Sequence, residues 1–425
     1  MLRNETDVFT KLQRIETVAR EDVTLKFTSL AHLLTPEFLM HFFEHMNQKG
    51  APGVDGVTID DFAKTAKENI ETLHQELKEQ RYRADNVRRV YIPKTDGKLR
   101  PLGIPSVKDR IVQRAVAEII GRIYEPYFLN ISYGFRSNRS AHDALKAVQE
   151  SVSKNPVKWI VDVDIKGYFD SVNHGWMKKF LEHRIADKTI LRLVSKFLNA
   201  GILENGVVVR NEEGTPQGGP ISPLLANIYL HYVLDLWFEK KYKQGVEGYS
   251  FLVRYADDFV VGFERREEAE KFLKELRKRL AEFSLEISEE KTRIVRFGTD
   301  SDEGNGTFAF LGFVHYIKSK GKRSPVVARK PNPKSRNKFL KNVKEWLRGA
   351  MHASVPWQKK MLSAKLKGYY NYFGLRYCQT SLMHVKRHVE RMWIMTLRRR
   401  SQKHKLWWNR IYGNPLYRLP EPRLV

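Results

Sequence analysis

The chain has 425 residues, enough for two or three domains and ample core, and a formal net charge of +26. Its one cysteine, Cys378, excludes disulfides and any cysteine-rich zinc module, and fits a reducing, cytoplasmic setting. The charged start MLRNETDVFTK has no secretory h-region. The longest uncharged run, 214–234, is interrupted by Pro216, Gln217, Pro220, Pro223, Asn227 and His231, so no membrane span is expected.

The charge is concentrated at one end. From Lys318 onward there are 28 Lys and Arg against three acids, Glu345, Glu390 and Glu421, whereas the preceding 317 residues hold 47 bases and 46 acids. An imbalance of that size over 108 residues points to a polyanionic partner, nucleic acid, rather than to scattered surface lysines.

In chain order, residues 1–50 read as helical, since PEFLMHFFEHMNQK repeats its apolar residues at helical spacing, and they end at the turn GAPGVDG. A polar-faced helix is expected over 61–80. VRRVYIPKTDGKLRPLGIP, 87–105, reads as a hairpin about Asp96-Gly97, with Pro93 and Pro101 confining it to a sheet edge. Helices are expected over 107–126, 140–154 and 173–201, and a buried strand at WIVDVDI, 159–165. A glycine loop and helix follow over 214–240, then a hairpin over 251–263 and a helix over 266–283. LEISEEKTRIV, 285–295, reads as strand, turn and strand. Beyond FLGF, 310–313, the basic tail reads as mostly helical. Strands and helices interleave up to about residue 317, which predicts α/β, and the remainder is predicted α.

Two places put acids where apolar strands are expected. In FLVRYADDFVVGF, residues 251–255 and 259–263 are strand-like, and Ala256, Asp257 and Asp258 suit the turn between them. Adjacent carboxylates beside an apolar sheet repel, so either this is an ordinary polar turn or a cation sits there. In WIVDVDI, Asp162 and Asp164 lie two apart and face one side of the strand. Acids in such a run need partners, either nearby backbone and arginine or a metal. One strand acid with Asp257 and Asp258 would supply three carboxylates, enough for two-metal phosphoryl transfer with Mg²⁺. Spacing alone does not choose between Asp162 and Asp164. In GTPQGGPISPLLANIYL, Ser222-Pro223 reads as a helix start with serine as cap, and Gly218-Gly219 lets backbone approach a substrate.

VDVDIKGYFDSVNH, GTPQGGPISPLLANIYL, RYADD, LEISEEKT and FLGF, in this order and spacing, resemble the successive polymerase motifs of a reverse transcriptase. APGVDGVT, GYFDSVNH and LKGYYNYFG, the last at 366–374, make the chain similar to the group II intron type, whose thumb also serves as an RNA-splicing maturase. The resemblance covers roughly residues 28 to 400. It implies a right-hand polymerase fold, with fingers and a palm built on an antiparallel sheet, followed by an α-helical thumb. The division it implies is a helical N-terminal extension over 1–50, fingers and palm over 51–317, and a basic thumb or maturase-like domain over 318–425.

The resemblance also implies roles for residues. Asp164 becomes the first metal carboxylate, because Phe169 then falls at the family's sugar gate, and Asp162 becomes a neighbouring structural acid. Asp257 is the second metal ligand and Asp258 the auxiliary one. The cofactor implied is a pair of Mg²⁺ ions, for which Mn²⁺ can substitute. Gln217 lines the nucleotide pocket. Arg88, Lys94 and Arg100 clamp the deoxynucleoside triphosphate. Lys291 sits where a proton donor for pyrophosphate is often held, and a plain surface lysine is the competing reading. Phe310, Leu311 and Gly312 grip the primer end. Arg398, Arg399 and Arg400 contact phosphates of the RNA template and primer duplex, and a group II intron RNA is a further implied partner.

Strand parity puts Arg88 and Lys94 on one face, and an ideal two-residue turn would put Arg100 on the other, so Arg100 needs a bulge or a bent strand. The fallback for the gate is Tyr168. A single cysteine and the short stretch after residue 400 lead us to expect no zinc-dependent endonuclease. His142 and His174 lie near helix starts and read as capping or structural residues. The aromatics Trp346, Tyr369, Tyr370, Tyr372, Phe373 and Trp393 read as core. Two functional alternatives are an RNA-binding splicing cofactor with a secondary polymerase site and a polymerase taken over for repair or defence.

Overall fold

The computed structural model describes residues 2–93, 99–204, 207–209, 213–214, 218–299, 304–320, 323–400, 411 and 414–424. In chain order the helices are α1 (Leu2–Glu21), α2 (Pro36–Glu44), α3 (Ile59–Lys64), α4 (Ala66–Lys78), α5 (Val107–Tyr124), α6 (Ala141–Lys154), α7 (His174–Glu182), α8 (Lys188–Leu198), α9 (Ser222–Leu230), α10 (Arg266–Glu282), α11 (Pro333–Gly349), α12 (Val355–Phe373) and α13 (Gln379–Arg398). The strands are β1 (Val87–Pro93), β2 (Leu99–Ile104), β3 (Trp159–Asp164), β4 (Ile202–Glu204), β5 (Val207–Val209), β6 (Ser250–Tyr255), β7 (Asp258–Phe263), β8 (Arg293–Arg296), β9 (Phe308–Phe310), β10 (Phe313–Lys320) and β11 (Arg323–Pro331). The mixed α/β character expected from the sequence is present. The chain forms two compact units, Met1–Val148 with Val161–Ile294 and Gln149–Ile160 with Val295–Val425.

Among the described residues two four-stranded sheets, ordered β6-β7-β3-β8 and β2-β1-β4-β5, belong to the first unit save for Trp159, Ile160, Val295 and Arg296 at the ends of β3 and β8. β6 and β7 are buried along nearly their whole length because valines and phenylalanines occupy both faces, so the strands must be covered on both sides. α9 and the π-helical turn His231–Asp235 that continues it supply buried Leu225, Ile228, Tyr229, Val233 and Leu234. The first 50 residues belong to this same unit: Val8, Leu12 and Ala19 of α1 are buried, and Met46, Asn47 and Gly50 line its main cleft. The buried Arg184 donates to the carbonyls of Ala19, Asp22 and Val23, which caps the C-terminus of α1 and fixes it to the unit.

Three local expectations change. The β1–β2 register pairs Pro93 with Leu99 and Ile92 with Arg100, so the connection is five residues and not two. That odd length reverses the parity. Directly opposed residues share a face, so Arg100 lies on the face of Ile92, Val90 and Arg88, and no bulge is needed. Ser222 is not the cap of α9: a turn from the Gly219 carbonyl to the Ser222 amide (3.1 Å) brings Ser222 into the helix, with Ile221 at the cap position. The basic tail opens with a hairpin rather than a helix. β10 and β11 pair from Phe313↔Pro331 outward, through the 317/318 boundary expected above, since Val314, Ile317, Val326 and Val327 favour the pleated form.

The second unit joins the sheet β11-β10-β9 to α11, α12 and α13. Its core holds Leu347, Leu366, Tyr369, Tyr370, Phe373, Val389 and Trp393, and the Trp393 indole donates to Gln358 Oε1 at 2.8 Å. Of the aromatics expected in the core, Trp346 is half-buried and Tyr372 is exposed, its hydroxyl donating to the Leu311 carbonyl.

Candidate active site

Asp164 is the last residue of β3, and Asp257 lies in the turn that opens β7, the strand beside β3. Both line one cavity of about 1150 Å³ in the first unit. Tyr255 pairs with Asp258, so Ala256 and Asp257 alone form the loop, and Ala256 sits at φ +58°. A non-glycine residue there carries strain of roughly 1–3 kcal/mol, and it persists only where its surroundings hold it.

The restraint is the fully buried Arg254. Its Nη1 donates to the Ala256 carbonyl and to Asn227 Oδ1, both at 2.9 Å, and its Nε donates to Asp235 Oδ1 at 2.7 Å. Asn227 Nδ2 in turn donates to the Gly134 carbonyl at 2.6 Å. A Cβ on Gly134 would fall 2.4 Å from the Ala256 amide nitrogen, so only glycine lets this segment lie against the turn. The turn that carries the carboxylate is thus fixed from below by a closed polar network.

Burial raises the Asp257 carboxyl above its ordinary range, and the neighbouring Asp164 charge adds to the rise. Its backbone hydrogen bond, Arg100 and Arg254 oppose it. Asp164 accepts from Lys291 Nζ at 2.8 Å. Asp162 is mostly buried and pairs with Arg293, at 3.3 Å from its Nε, which is the structural partner expected for it. Two like charges facing one cleft, one of them poorly solvated and the other already holding an ammonium, suit a divalent cation that takes few protein carboxylates and completes its shell with substrate oxygens. Among the described residues no three His, Cys, Asp or Glu side chains come together as a ready-made metal cluster. Asp258, the first residue of β7, does not line the cavity. The structure therefore brings together two of the three expected carboxylates.

Phe169 lines the same cleft from the short helical turn Tyr168–Asp170. Tyr168 takes the core position beneath it: the ring is buried, its hydroxyl donates to the Ala226 carbonyl at 2.6 Å, and the two rings meet edge to face at 5.4 Å. Arg100 and Lys291 also line the cleft. Arg88 shares a strand face with Arg100 but does not line the cavity. Lys94 and Gln217 fall outside the described residues.

The remaining expected nucleic-acid contacts lie in the second unit. Leu311 (φ +49°) and Gly312 (φ +77°) form the two-residue turn between β9 and β10, a geometry that matches the strand twist. Phe310 is only 1% exposed, so its ring packs inside the unit, and any external contact falls to Leu311 and Gly312. Arg399 is exposed just beyond α13, whereas Arg400 donates to the Ala353 carbonyl at 2.6 Å and has a structural partner. Lys334, Lys338, Lys341, Lys344 and Arg348 are exposed along α11 at spacings of three and four, which makes one basic stripe.

Sequence reading missed the Arg254–Asp235–Asn227 network, although an arginine inside FLVRY and an aspartate inside YVLDL were visible as opposite charges in apolar runs. It also missed Phe135, which stands 56% exposed on the cleft wall at φ +56°. No local pattern marks that residue.

Residues 92–315 match the family described as reverse transcriptase (RNA-dependent DNA polymerase). Protein YkfC of Escherichia coli K12 is 34% identical over 369 residues, which cover 78% of this chain and 94% of that protein. The group II intron-encoded protein LtrA of Lactococcus lactis is 39% identical over 231 residues, 53% of this chain but only 38% of LtrA. Nuclear intron maturase 4 of Arabidopsis thaliana is 28% identical over 131 residues, 30% of this chain and 16% of that protein. Among the described residues no helix is long and apolar enough to cross a membrane. The chain is similar to group II intron-encoded proteins, belongs to the reverse transcriptase (RNA-dependent DNA polymerase) family and is an RNA-directed DNA polymerase.

Proposed function

We propose that the first unit supplies the fingers and palm and the second unit the thumb, and that cDNA is made at the Asp164–Asp257 cleft from an RNA template, a primer and deoxynucleoside triphosphates. The observation that carries this is the pairing of two like-charged carboxylates, one at a strand end and one on a rigidly held turn, in a cleft that also presents Arg100 and Phe169. Asp164 and Asp257 would hold two Mg²⁺ ions, or Mn²⁺, with Asp258 as an auxiliary acid. The chemistry supplied by the bound ions is activation of the primer 3′-hydroxyl and neutralisation of charge on the α-phosphate and the departing pyrophosphate. Lys291 holds Asp164 in place until substrate enters and is positioned to give a proton to the leaving group. Arg100 draws in the triphosphate, and by the resemblance Arg88 and Lys94 would share that task and Gln217 would line the nucleotide pocket.

Phe169 sets the sugar preference. A ring in the cleft leaves no room for a 2′-hydroxyl, and because Tyr168 carries the packing load, trimming Phe169 should leave the fold intact. Phe169→Val should lower the dNTP-over-rNTP preference by roughly 10- to 200-fold, the discrimination that a single methylene's worth of space gives in a pocket. An unchanged ratio measured by single-nucleotide insertion would move the gate elsewhere.

A maturase role is supported by the intron-protein relatives and by the basic stripe of α11. Binding there should run through phosphates and read shape more than sequence. Changing Lys338, Lys341 and Arg399 to Gln should lower affinity for primer–template and structured RNA alike. It should also flatten the salt dependence of log affinity by about 0.7–0.9 for each phosphate that is no longer neutralised. Weakening confined to one structured RNA, with generic duplex binding intact, would mark a sequence-specific splicing surface instead.

A further inference from the structure

Of the two readings of His174, capping or structural, the second holds: the cap of α7 is Asn173, whose Oδ1 accepts from the Trp176 amide at 3.0 Å. The imidazole reaches elsewhere. Its Nε2 lies 2.7 Å from the Gly214 carbonyl, an atom that can only accept, so this nitrogen carries the hydrogen. Its Nδ1 lies 3.1 Å from the side-chain amide of Asn199, just beyond α8, and accepts from that amide when its NH₂ faces the ring. Gly214 is gripped on its other side as well. Its amide donates to the Val172 carbonyl at 2.8 Å. At φ +88° an added Cβ would fall 2.9 Å from the Phe169 and Asp170 carbonyls, so the loop backbone rests directly on the turn that presents Phe169. Four residues on, Gly218 lines the cleft, and a Cβ there would fall 2.5 Å from the Gly103 carbonyl of β2.

We propose that His174 is a positioning residue for the nucleotide pocket: it clamps the Gly214 backbone onto the turn that presents Phe169 and so fixes where the sugar gate stands in the cleft. The proposal rests on the reading of Phe169 as the gate. His174 does not line the cleft that holds the carboxylates, so the clamp governs which nucleotide is held and how tightly, and it leaves the chemical step to Asp164 and Asp257. Without it Gly214 keeps its amide bond to Val172 but loses the restraint on its carbonyl side. Gly214 can then draw away from the Phe169 turn, which loses its support and can yield to a 2′-hydroxyl.

The test is single-nucleotide insertion by His174→Ala and His174→Gln, with dNTP and rNTP titrated separately and thermal unfolding measured alongside. Gln places an amide N–H near the position of Nε2 and should restore the bond to Gly214. The clamp predicts that His174→Ala raises KM for dNTP about tenfold and lowers dNTP-over-rNTP selectivity, with kcat at saturating dNTP within about twofold of wild type, and that His174→Gln recovers both KM and selectivity. Unchanged KM and selectivity in His174→Ala would overturn it. So would a matched fall of kcat and melting temperature that Gln does not repair, because that pattern marks a merely structural histidine. Phe169→Val run in parallel separates the two readings: if it leaves selectivity untouched the gate assignment fails, whereas a selective response to Phe169→Val with none to His174→Ala removes the clamp alone.

Discussion

Asp257→Asn should slow primer extension by roughly 10²–10³-fold, the range seen when one preorganised charge-stabilising group is removed from a polar transition state. Template affinity should stay close to wild type, because the basic surface lies on another part of the chain. Stability should move the opposite way to activity. Burial and the Asp164 charge raise the folded-state carboxyl of Asp257 above its unfolded value. A group with a raised pKa gives stability below its unfolded pKa and loses it as pH rises through the folded one. At neutral pH the ionised carboxylate is therefore a burden on the metal-free protein, and Asp257→Asn should melt at the same temperature or higher in chelator. Added Mg²⁺ should stabilise the wild type more than the variant. Thermal unfolding with and without Mg²⁺ checks this, and a large drop in stability in the metal-free variant would contradict it.

Asp235→Ala should be the most destabilising change near the site. It strands the Arg254 guanidinium in a fully buried position with its main partner gone, and breaking one side of a buried pair costs about 3–5 kcal/mol. Extension should fall too, since Arg254 is what holds the Ala256 carbonyl and hence the strained turn under Asp257. Replacing both members, Asp235→Leu with Arg254→Met, should recover much of the stability by removing the uncompensated charge, while activity stays low because the Ala256 carbonyl still lacks its donor. Denaturant unfolding and single-turnover extension on the three proteins separate these effects. If the double variant regains full activity, the network holds the fold and not the turn.

Much of the arrangement was legible because its signals are local and strong. The turn of RYADD follows from apolar β-branched runs interrupted by poor strand formers, although Asp258, expected in the turn, pairs with Tyr255 as the first residue of β7, and the motif order carried the polymerase resemblance. Asp164 and Asp257 do share a cleft, and Asp162 does find an arginine. What was not legible depends on distance in sequence or on single-residue offsets. Arg100 was assigned the wrong face because a loop one residue off an even count reverses every side chain after it. The partners of Arg254 lie 19 and 27 residues away in the chain, and only the fold brings them under the turn. Phe310 looked available as part of a motif and is buried, while Arg400 looked like a surface charge and serves a carbonyl. The hairpin of β10 and β11 was hidden by its lysines and arginines, which read as helical tail until their β-branched neighbours are paired.

If Asp164 and Asp257 make this chain a metal-dependent, RNA-templated DNA polymerase, the direct measurement is extension of a DNA primer on a defined RNA template by the purified protein. All four dNTPs are supplied, in excess chelator and across a titration of Mg²⁺ and of Mn²⁺, with Asp164→Asn measured beside the wild type. Full-length complementary DNA is expected only when a divalent ion is present, and Asp164→Asn should be at least about a hundredfold slower at unchanged template binding. Extension that persists in chelator, or an Asp164→Asn protein that copies RNA at the wild-type rate, would contradict it.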